Sequence, residues 1–199
     1  MCRFLLTAFL VFPMEDDIMI YVFLADGFEE IEALAPVDFL KRAGIKVVTV
    51  GIASKEITGT HNIKVVADIT ADEVCLNDRL QGIILPGGMP GAENLNNSSL
   101  VQNAIDYCAE NNKIIAAICA APFILGRKGL LKGKKATCFP GFESELEGAE
   151  LVDVGVMGDG MIITAKGAGV AWEFGAAICS IITGEEKELQ ILRGIQWRK

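Results

Sequence analysis

The sequence predicts an α/β fold in which helices cover both faces of a mostly parallel sheet. From Met19 onward, short apolar runs alternate with helical patterns, and this alternation is typical of parallel sheets. Several runs are apolar at every position, as expected of strands buried on both faces. Hydrophobic residues make up 51% of the 199 residues, so the chain can build its core without disulfides or a structural metal.

Five strands are predicted in the first two thirds of the chain. The first is a continuous apolar run, whereas the third alternates apolar and polar residues and is expected at the side of the sheet. The fourth runs directly into a glycine turn. The predicted strands cover residues 19–25, 46–52, 61–69, 82–88 and 113–119.

Three helices are predicted between these strands. Residues 29–43 carry apolar side chains at helical spacing and are expected to bend at Pro36 and end at Gly44. Residues 98–111 form the second helix, with Ser98 or Ser99 as its cap. A third helix begins near residues 120–122, where a proline suits the first turn.

The last third of the chain continues the sheet and closes with two helices. Residues 134–139 are predicted as a strand. Residues 149–166 are predicted as a hairpin that turns at Gly158, Asp159 and Gly160. An apolar helix follows over residues 169–184 and a charged helix over residues 185–199.

The chain is divided into an N-terminal extension, residues 1–18, and a single domain, residues 19–199. The extension is mostly apolar up to Pro13 and is either a weak signal-like segment or the product of a start codon assigned too far upstream. It lacks a small-x-small cleavage site, which favours the second explanation. At this length it cannot span a bilayer, so we expect no membrane partner.

Charge and cysteine spacing exclude several classes of function. The net charge of −8 gives no attraction to phosphate backbones, so a nucleic-acid partner is not expected. The six cysteines form no C-x-x-C pair and the chain has one histidine, His61, so we expect no metal site. Free thiols indicate a reducing compartment, and we expect a cytoplasmic protein.

Ligands of parallel α/β sheets bind at the carboxyl ends of the strands. This rule selects residues 25–32, 86–91 and 119–122 as the candidate site. Cys119 ends a strand and opens a helix, which is the geometry of a nucleophile elbow. The helix N-terminus is expected to lower the pKa of its thiol, with the Ala120 N–H as an oxyanion donor. The alternative is a buried structural cysteine.

Two further groups are candidates at the same edge of the sheet. Gly87 and Gly88 offer backbone N–H groups that could face Cys119, although a plain Pro-Gly turn explains the pattern equally well. Glu29 and Glu30 favour the helix dipole. Glu32 lies on the inward face of the helix, and burial beside a cysteine would push it toward its protonated form.

Together these stretches resemble the ThiJ/PfpI superfamily, on the branch that includes DJ-1. The matching motifs are E-E-I-E (29–32), L-P-G-G-x-x-G-A (85–92), A-A-I-C-A-A-P (116–122) and K-G-A-G-V-A-W-E-F-G (166–175). The resemblance implies a flavodoxin-like three-layer sandwich, like that of class I glutamine amidotransferases, and a homodimer. It also implies a reactive Cys119 hydrogen-bonded to a protonated Glu32, with Gly87, Gly88 and Ala120 as backbone donors.

The sequence departs from parts of the superfamily pattern. Protease-like members carry a histidine directly after the cysteine, where this chain has Ala120. Some DJ-1-like members have a histidine at the position of Phe139. Phe139 and Glu29 are expected at the pocket periphery. Arg42 and His61 match positions from which relatives direct basic side chains to a pocket, partly across a dimer. They form either a weak anion site or two solvated surface residues.

We therefore expect a cofactor-free enzyme that acts on small reactive carbonyls, of the glyoxalase-III or deglycase type, with a small aldehyde or glycated compound as substrate. The alternative is an oxidative-stress redox sensor or chaperone in which Cys119 is the oxidisable thiol. The family places Cys138 near the pocket, as the one candidate for a resolving thiol. An intracellular cysteine peptidase is disfavoured because no Cys–His pair is visible.

Overall fold

The computed structural model describes residues 18–198, which fold around a seven-stranded sheet. The sheet order is β10-β11-β7-β6-β1-β2-β5, and its pairs are parallel except for the β10–β11 hairpin. The strands are β1 (Met19–Leu24), β2 (Lys46–Gly51), β3 (Glu56–Thr58), β4 (Lys64–Val66), β5 (Ile69–Thr70), β6 (Leu80–Leu85), β7 (Ile114–Ile118), β8 (Lys135–Ala136), β9 (Glu150–Leu151), β10 (Val156–Asp159) and β11 (Ile162–Ala165). This confirms the predicted mostly parallel sheet.

Helices cover both faces of the sheet and give two core layers. They are α1 (Glu30–Arg42), α2 (Gly91–Asn96), α3 (Ser99–Glu110), α4 (Pro122–Arg127), α5 (Ala171–Thr183) and α6 (Glu185–Gly194). Alternate residues of β1 enter opposite layers: Ile20 and Val22 pack with α1 and α5, whereas Tyr21 and Phe23 pack with α3 and α4. The three-layer α/β sandwich is thus as predicted.

Helix α1 connects the first strand to the candidate site, and its ends follow from the sequence. The Glu29 side chain accepts a hydrogen bond from the backbone N–H of Glu32 and so caps the first turn. The helix runs through Pro36, and Gly44 follows its end with φ +83°. Gly175 of α5 lets the two helices approach closely, because a Cβ there would lie 3.0 Å from the Pro36 Cα.

Two predicted strands are wrong in their extent. Residues 61–69 are split, since β4 pairs with β3 in a separate hairpin and β5 contributes only two residues to the main sheet. The Asp68 carboxylate accepts from the Thr49 N–H at 2.9 Å, in place of a strand carbonyl. Residues 134–139 shorten to β8, because the Thr137 N–H donates to the Thr164 side chain at 3.0 Å.

Smaller differences concern turns and ends. The predicted hairpin over residues 149–166 is shorter in the structure, because β9 pairs with β8 and only β10 and β11 form the hairpin. Its turn lies at Gly160 and Met161, one residue later than predicted, because Gly158 and Asp159 of β10 still pair with β11. Helix α2 was not predicted. Of the proposed extension, residues 1–17 lie outside the described residues. Among residues 18–198, no helix combines the length and apolar character needed to cross a membrane.

Candidate active site

The loops that follow β1, β6 and β7 meet at one edge of the sheet. The Glu29 N–H donates to the Gly87 carbonyl at 3.0 Å, and the Gly91 N–H donates to the Gly27 carbonyl at 3.1 Å. The Gly87 N–H donates to Oε2 of Glu32, also at 3.0 Å. Because Gly87 also lies against Cys119, the three stretches selected from the sequence form one site, at the carboxyl ends of the strands.

Cys119 has the backbone conformation of a nucleophile elbow. Its φ is +64°, a left-handed conformation that is rare and strained for a residue with a side chain. Two hydrogen bonds fix it there: its N–H donates to the Ala165 carbonyl, and its carbonyl accepts from the Phe139 N–H, both at 2.8 Å. A strained, half-buried cysteine at a strand end favours a functional role over a purely structural one.

Glu32 points into the protein beside Cys119, as predicted. The side chain is only 1% exposed, and burial raises the pKa of its carboxyl group to about 7. Hydrogen bonds from the Cys119 thiol and from the Gly87 N–H partly offset that rise. Both the protonated and the ionised carboxyl group are therefore accessible near neutral pH, so it can act either as a donor or as an acceptor.

The expectation of a lowered thiol pKa is wrong. Burial, together with the charge of Glu32, raises the pKa of the Cys119 thiol to about 12. The N–H groups of Gly88 and Ala120 oppose this rise but do not overcome it. Helix α4 begins only at Pro122 and has six residues, so its dipole is small compared with the cost of two buried negative charges.

Cys119 and Glu32 therefore titrate as a coupled pair. The pair loses one proton near pH 7 and retains the other at much higher pH. In the singly charged state, one proton remains on the pair, and burial with the charge of Glu32 favours its place on the Cys119 sulfur. A thiolate is present whenever that proton rests on Glu32, so the carboxyl group controls the nucleophile.

The backbone donors are divided between the two members of the pair. Gly88 and Ala120 direct N–H groups to the Cys119 sulfur, whereas Gly87 donates to Glu32 instead. Gly87 is also wedged between the two side chains. A Cβ at this position would lie 2.6 Å from both the Cys119 Cβ and the Glu32 Oε2, so no larger residue fits without displacing one of them.

The pocket periphery contains predicted residues and two that sequence reasoning missed. Phe139 is 47% exposed and is tied to Cys119 through its N–H. The missed residues are Gly167 and Ala168, which lie against Glu32. They belong to the K-G-A-G segment, and the order of strands around β11 could have placed that segment at the same edge of the sheet.

The expected anion site of Arg42 and His61 does not form within one chain. His61 Nδ1 lies 2.7 Å from the Glu30 carboxylate and 4.0 Å from that of Glu29, and this hydrogen bond to Glu30 raises the pKa of His61. Arg42 pairs with Asp38 at 2.6 Å, at the far end of α1. Both positive charges are therefore already neutralised by carboxylates, and they lie apart.

Glu29, Glu30 and His61 also bring three potential metal ligands within 4.8 Å of one another. Each has a role without a metal: Glu29 caps α1, and the buried Glu30 accepts from both the backbone and the ring of His61.

The other described cysteines have different surroundings. Cys108, Cys138 and Cys179 are buried, Cys75 is exposed, and all are free thiols. Cys138 belongs to the core layer on the face of the sheet opposite the layer that Cys119 contacts. It lines a separate cavity of about 380 Å³ with Glu143 and Lys166. This placement does not favour Cys138 as a resolving thiol for Cys119.

Comparison with known proteins gives consistent results. A model of the DJ-1/PfpI family matches residues 19–181. DJ-1 homolog B of Arabidopsis thaliana is 42% identical over 174 residues, which are 86% of this chain and 40% of that protein. The chain thus spans less than half of this relative. Protein dj-1beta of Drosophila melanogaster is 34% identical over 177 residues, which are 87% of this chain and 94% of that protein.

Solved structures agree with the sequence comparison. The crystal structure of Drosophila melanogaster DJ-1beta superposes with a TM-score of 0.86 at 32% identity, covering 92% of this chain and 100% of that one. A structure described as oxidized DJ-1 of Toxoplasma gondii has a TM-score of 0.87 at 30% identity, with the same coverage. Fold and sequence therefore point to the same relatives.

Proposed function

The chain belongs to the DJ-1/PfpI family, and from this premise we propose that it is a cysteine-dependent enzyme acting on small reactive carbonyls. The observation that carries the proposal is the contact between Cys119, strained at φ +64°, and Glu32, whose pKa burial raises to about 7. A carboxyl group poised near neutral pH is suited to move protons in both directions. The reaction is of the glyoxalase-III or deglycase type and needs no cofactor.

For a 2-oxoaldehyde, the first step is addition of the Cys119 thiolate to the aldehyde carbon. A carbon–sulfur bond forms, and the carbonyl oxygen takes the proton held by Glu32, giving a hemithioacetal. The N–H groups of Gly88 and Ala120 stabilise the negative charge that develops on that oxygen.

The second step is an isomerisation. The Glu32 carboxylate removes the proton from the former aldehyde carbon and delivers it to the neighbouring carbon, while the hydroxyl proton passes to the neighbouring oxygen. The product is a thioester of a 2-hydroxy acid. Water then cleaves the thioester, which releases the acid and returns the Cys119 thiol. The net reaction adds one water and requires no oxidant or reductant.

The proposal is tested by proton NMR of the purified protein with methylglyoxal in the absence of glutathione. We expect lactate to accumulate over many turnovers, and we expect Cys119→Ser to abolish its formation. A stoichiometric adduct without turnover would instead favour the redox sensor. Lactate formation that survives in Cys119→Ser would overturn the role of the cysteine.

The redox sensor or chaperone is the second candidate, and one observation favours it. The Cys119 sulfur faces two backbone N–H groups and a carboxyl group that can be protonated, and these donors could stabilise the oxygens of a sulfinic acid. A cysteine peptidase has little support. The single histidine of the chain is paired with Glu30, so it is not placed to act as a base for Cys119.

A cytoplasmic homodimer is part of the same proposal. The N-terminal end of α1 and the neighbouring loop expose apolar side chains: Ile31 is 52% exposed and Ile63 is 53% exposed. The two are close because the Ile63 N–H approaches the carboxylate of Glu30, the residue next to Ile31. Val66 of β4 is 68% exposed. These side chains support a surface that a second copy covers.

A further inference from the structure

A methyl-sized space separates the Glu32 carboxylate from the ring of Phe139. It lies at Gly167, where a Cβ would be 3.4 Å from Cδ2 and 3.9 Å from Cε2 of Phe139, and 3.8 Å from Oε1 of Glu32. These are ordinary van der Waals distances, so the space can hold an atom without strain. A group bound there would contact both the proposed acid–base and an aromatic ring.

The Phe139 ring forms the side of this space opposite Glu32. Among the described residues, it is the one aromatic side chain in the set of exposed large apolar residues, with 47% of its surface open. The backbone that carries the ring is held in place, because its N–H donates to the Cys119 carbonyl at 2.8 Å and its carbonyl accepts from the Phe142 N–H at 3.2 Å. An exposed ring held beside a nucleophile offers apolar contact to a ligand.

The charges around the pocket disfavour an anionic substituent. Glu29 and Glu32 belong to the site, whereas Glu30 is paired with His61, and Lys166, the residue before Gly167, is paired with Asp153. A carboxylate or phosphate on the substrate would meet these acidic groups, whereas a neutral group would not. The exposed ring of Phe139 is therefore suited to a flat, uncharged substituent that can pack against it.

We propose that Phe139 and Gly167 make this pocket selective for 2-oxoaldehydes that carry an aryl group. The inference rests on the proposed function and specifies its substrate class. Phe139 supplies the surface on which the aryl group packs, and Gly167, which has no side chain, leaves the edge of that ring uncovered on the side facing Glu32. Neither residue takes part in the proton transfers.

The test compares kcat/KM for glyoxal, methylglyoxal and phenylglyoxal in four proteins: wild type, Phe139→Ala, Gly167→Ala and the control Leu189→Ala, which removes an exposed apolar side chain on α6. We expect wild type to prefer phenylglyoxal. Phe139→Ala and Gly167→Ala should lower the ratio of kcat/KM for phenylglyoxal to kcat/KM for glyoxal about tenfold. The control should match wild type. Equal losses for all three substrates would overturn the inference.

A second measurement does not depend on turnover. Alkylation of Cys119 by iodoacetamide and by its N-phenyl derivative is followed by peptide mass spectrometry in the same four proteins. We expect the phenyl reagent to react faster relative to iodoacetamide in wild type, and this ratio to fall about tenfold in the two pocket variants. An unchanged ratio of the two alkylation rates in the pocket variants would overturn the proposed selectivity for aryl groups. Absence of turnover with all three aldehydes, with the ratio as expected, would overturn the proposed reaction alone.

Discussion

At the scale of single residues, burial of Glu32 supports the proposed proton transfers but lowers the stability of the fold when the carboxyl group is ionised. Its carboxyl group is buried, and its pKa is raised from the ordinary 4.5 to about 7. Between these two pKa values, the folded protein therefore retains a proton that the unfolded chain has released. As a result, its free energy of unfolding falls as pH rises through that window. Ionising this group in the fold costs about 3 kcal/mol, an order-of-magnitude value.

We predict that Glu32→Gln is more stable than wild type above pH 7 and nearly inactive. The amide keeps the shape but removes the buried charge, so most of the fall in stability between about pH 4.5 and 7 should disappear. Aldehyde turnover should drop by at least about two orders of magnitude, because the acid–base is lost. Denaturant unfolding at pH 5 and pH 8, together with lactate formation, measures both effects. Glu110→Gln, an exposed substitution, is the control. A variant with near-normal turnover would remove Glu32 from the mechanism.

The sequence was sufficient to predict that Cys119 and Glu32 lie together, but it did not predict the pKa of the thiol. The strand-to-helix turn and the inward face of α1 are visible in the spacing of apolar residues. The degree of burial is not visible, and here burial beside Glu32 outweighs the donors that would favour a thiolate. Gly167 was missed for a similar reason, since its contact with Phe139 joins segments distant in the sequence.

At the scale of elements, the turn after β6 sets the distance between nucleophile and acid. Gly87 lies between Cys119 and Glu32 with no room for a side chain on either side. The turn therefore holds the pair apart at hydrogen-bonding range while one of its N–H groups orients the carboxylate. The prediction from sequence treated this glycine as a donor to sulfur, and its main effect is instead on Glu32.

We predict that Gly87→Ala lowers the rate of Cys119 alkylation by iodoacetamide about tenfold or more at pH 7.5. The added methyl group must displace either the cysteine or the glutamate, which breaks the hydrogen bond between the Cys119 thiol and the Glu32 carboxyl group. Gly158→Ala is the matched control, because nothing lies within 4 Å of its Cβ position. Equal alkylation rates in the two variants would contradict the role assigned to Gly87.

Secondary structure was predicted well where strands are continuous and apolar, and poorly where side chains replace backbone partners. The runs that became β1, β2, β6 and β7 are buried on both faces, so their pattern leaves one interpretation. In residues 61–69 and 134–139, side-chain oxygens replace the carbonyls of a neighbouring strand as acceptors. The Asp68 carboxylate accepts from the Thr49 N–H, and the Thr164 hydroxyl accepts from the Thr137 N–H. Such replacements depend on distant residues and leave no periodic signal.

At the scale of the whole molecule, the apolar surface around α1 bears on assembly. We predict that the protein sediments as a dimer of two 21.4-kDa chains and that Ile31→Lys shifts it toward the monomer. A charge at this position would have to be buried in the interface, which is costly without a partner. Leu189→Lys on α6 is the control. A wild-type monomer, or an Ile31→Lys variant that remains dimeric, would contradict the proposed interface.

We propose that Cys119 is the reactive thiol because Glu32 can hold its proton. Both the enzyme and the sensor depend on this claim. Cys75 is the stringent control for selective oxidation, because it is exposed to peroxide whereas Cys119 is only partly exposed. The most direct measurement is peptide mass spectrometry after graded exposure to peroxide. We predict that Cys119 gains oxygen first, passes through sulfenic acid and accumulates as sulfinic acid. Oxidation of Cys75, Cys108 or Cys179 before Cys119 would contradict the claim.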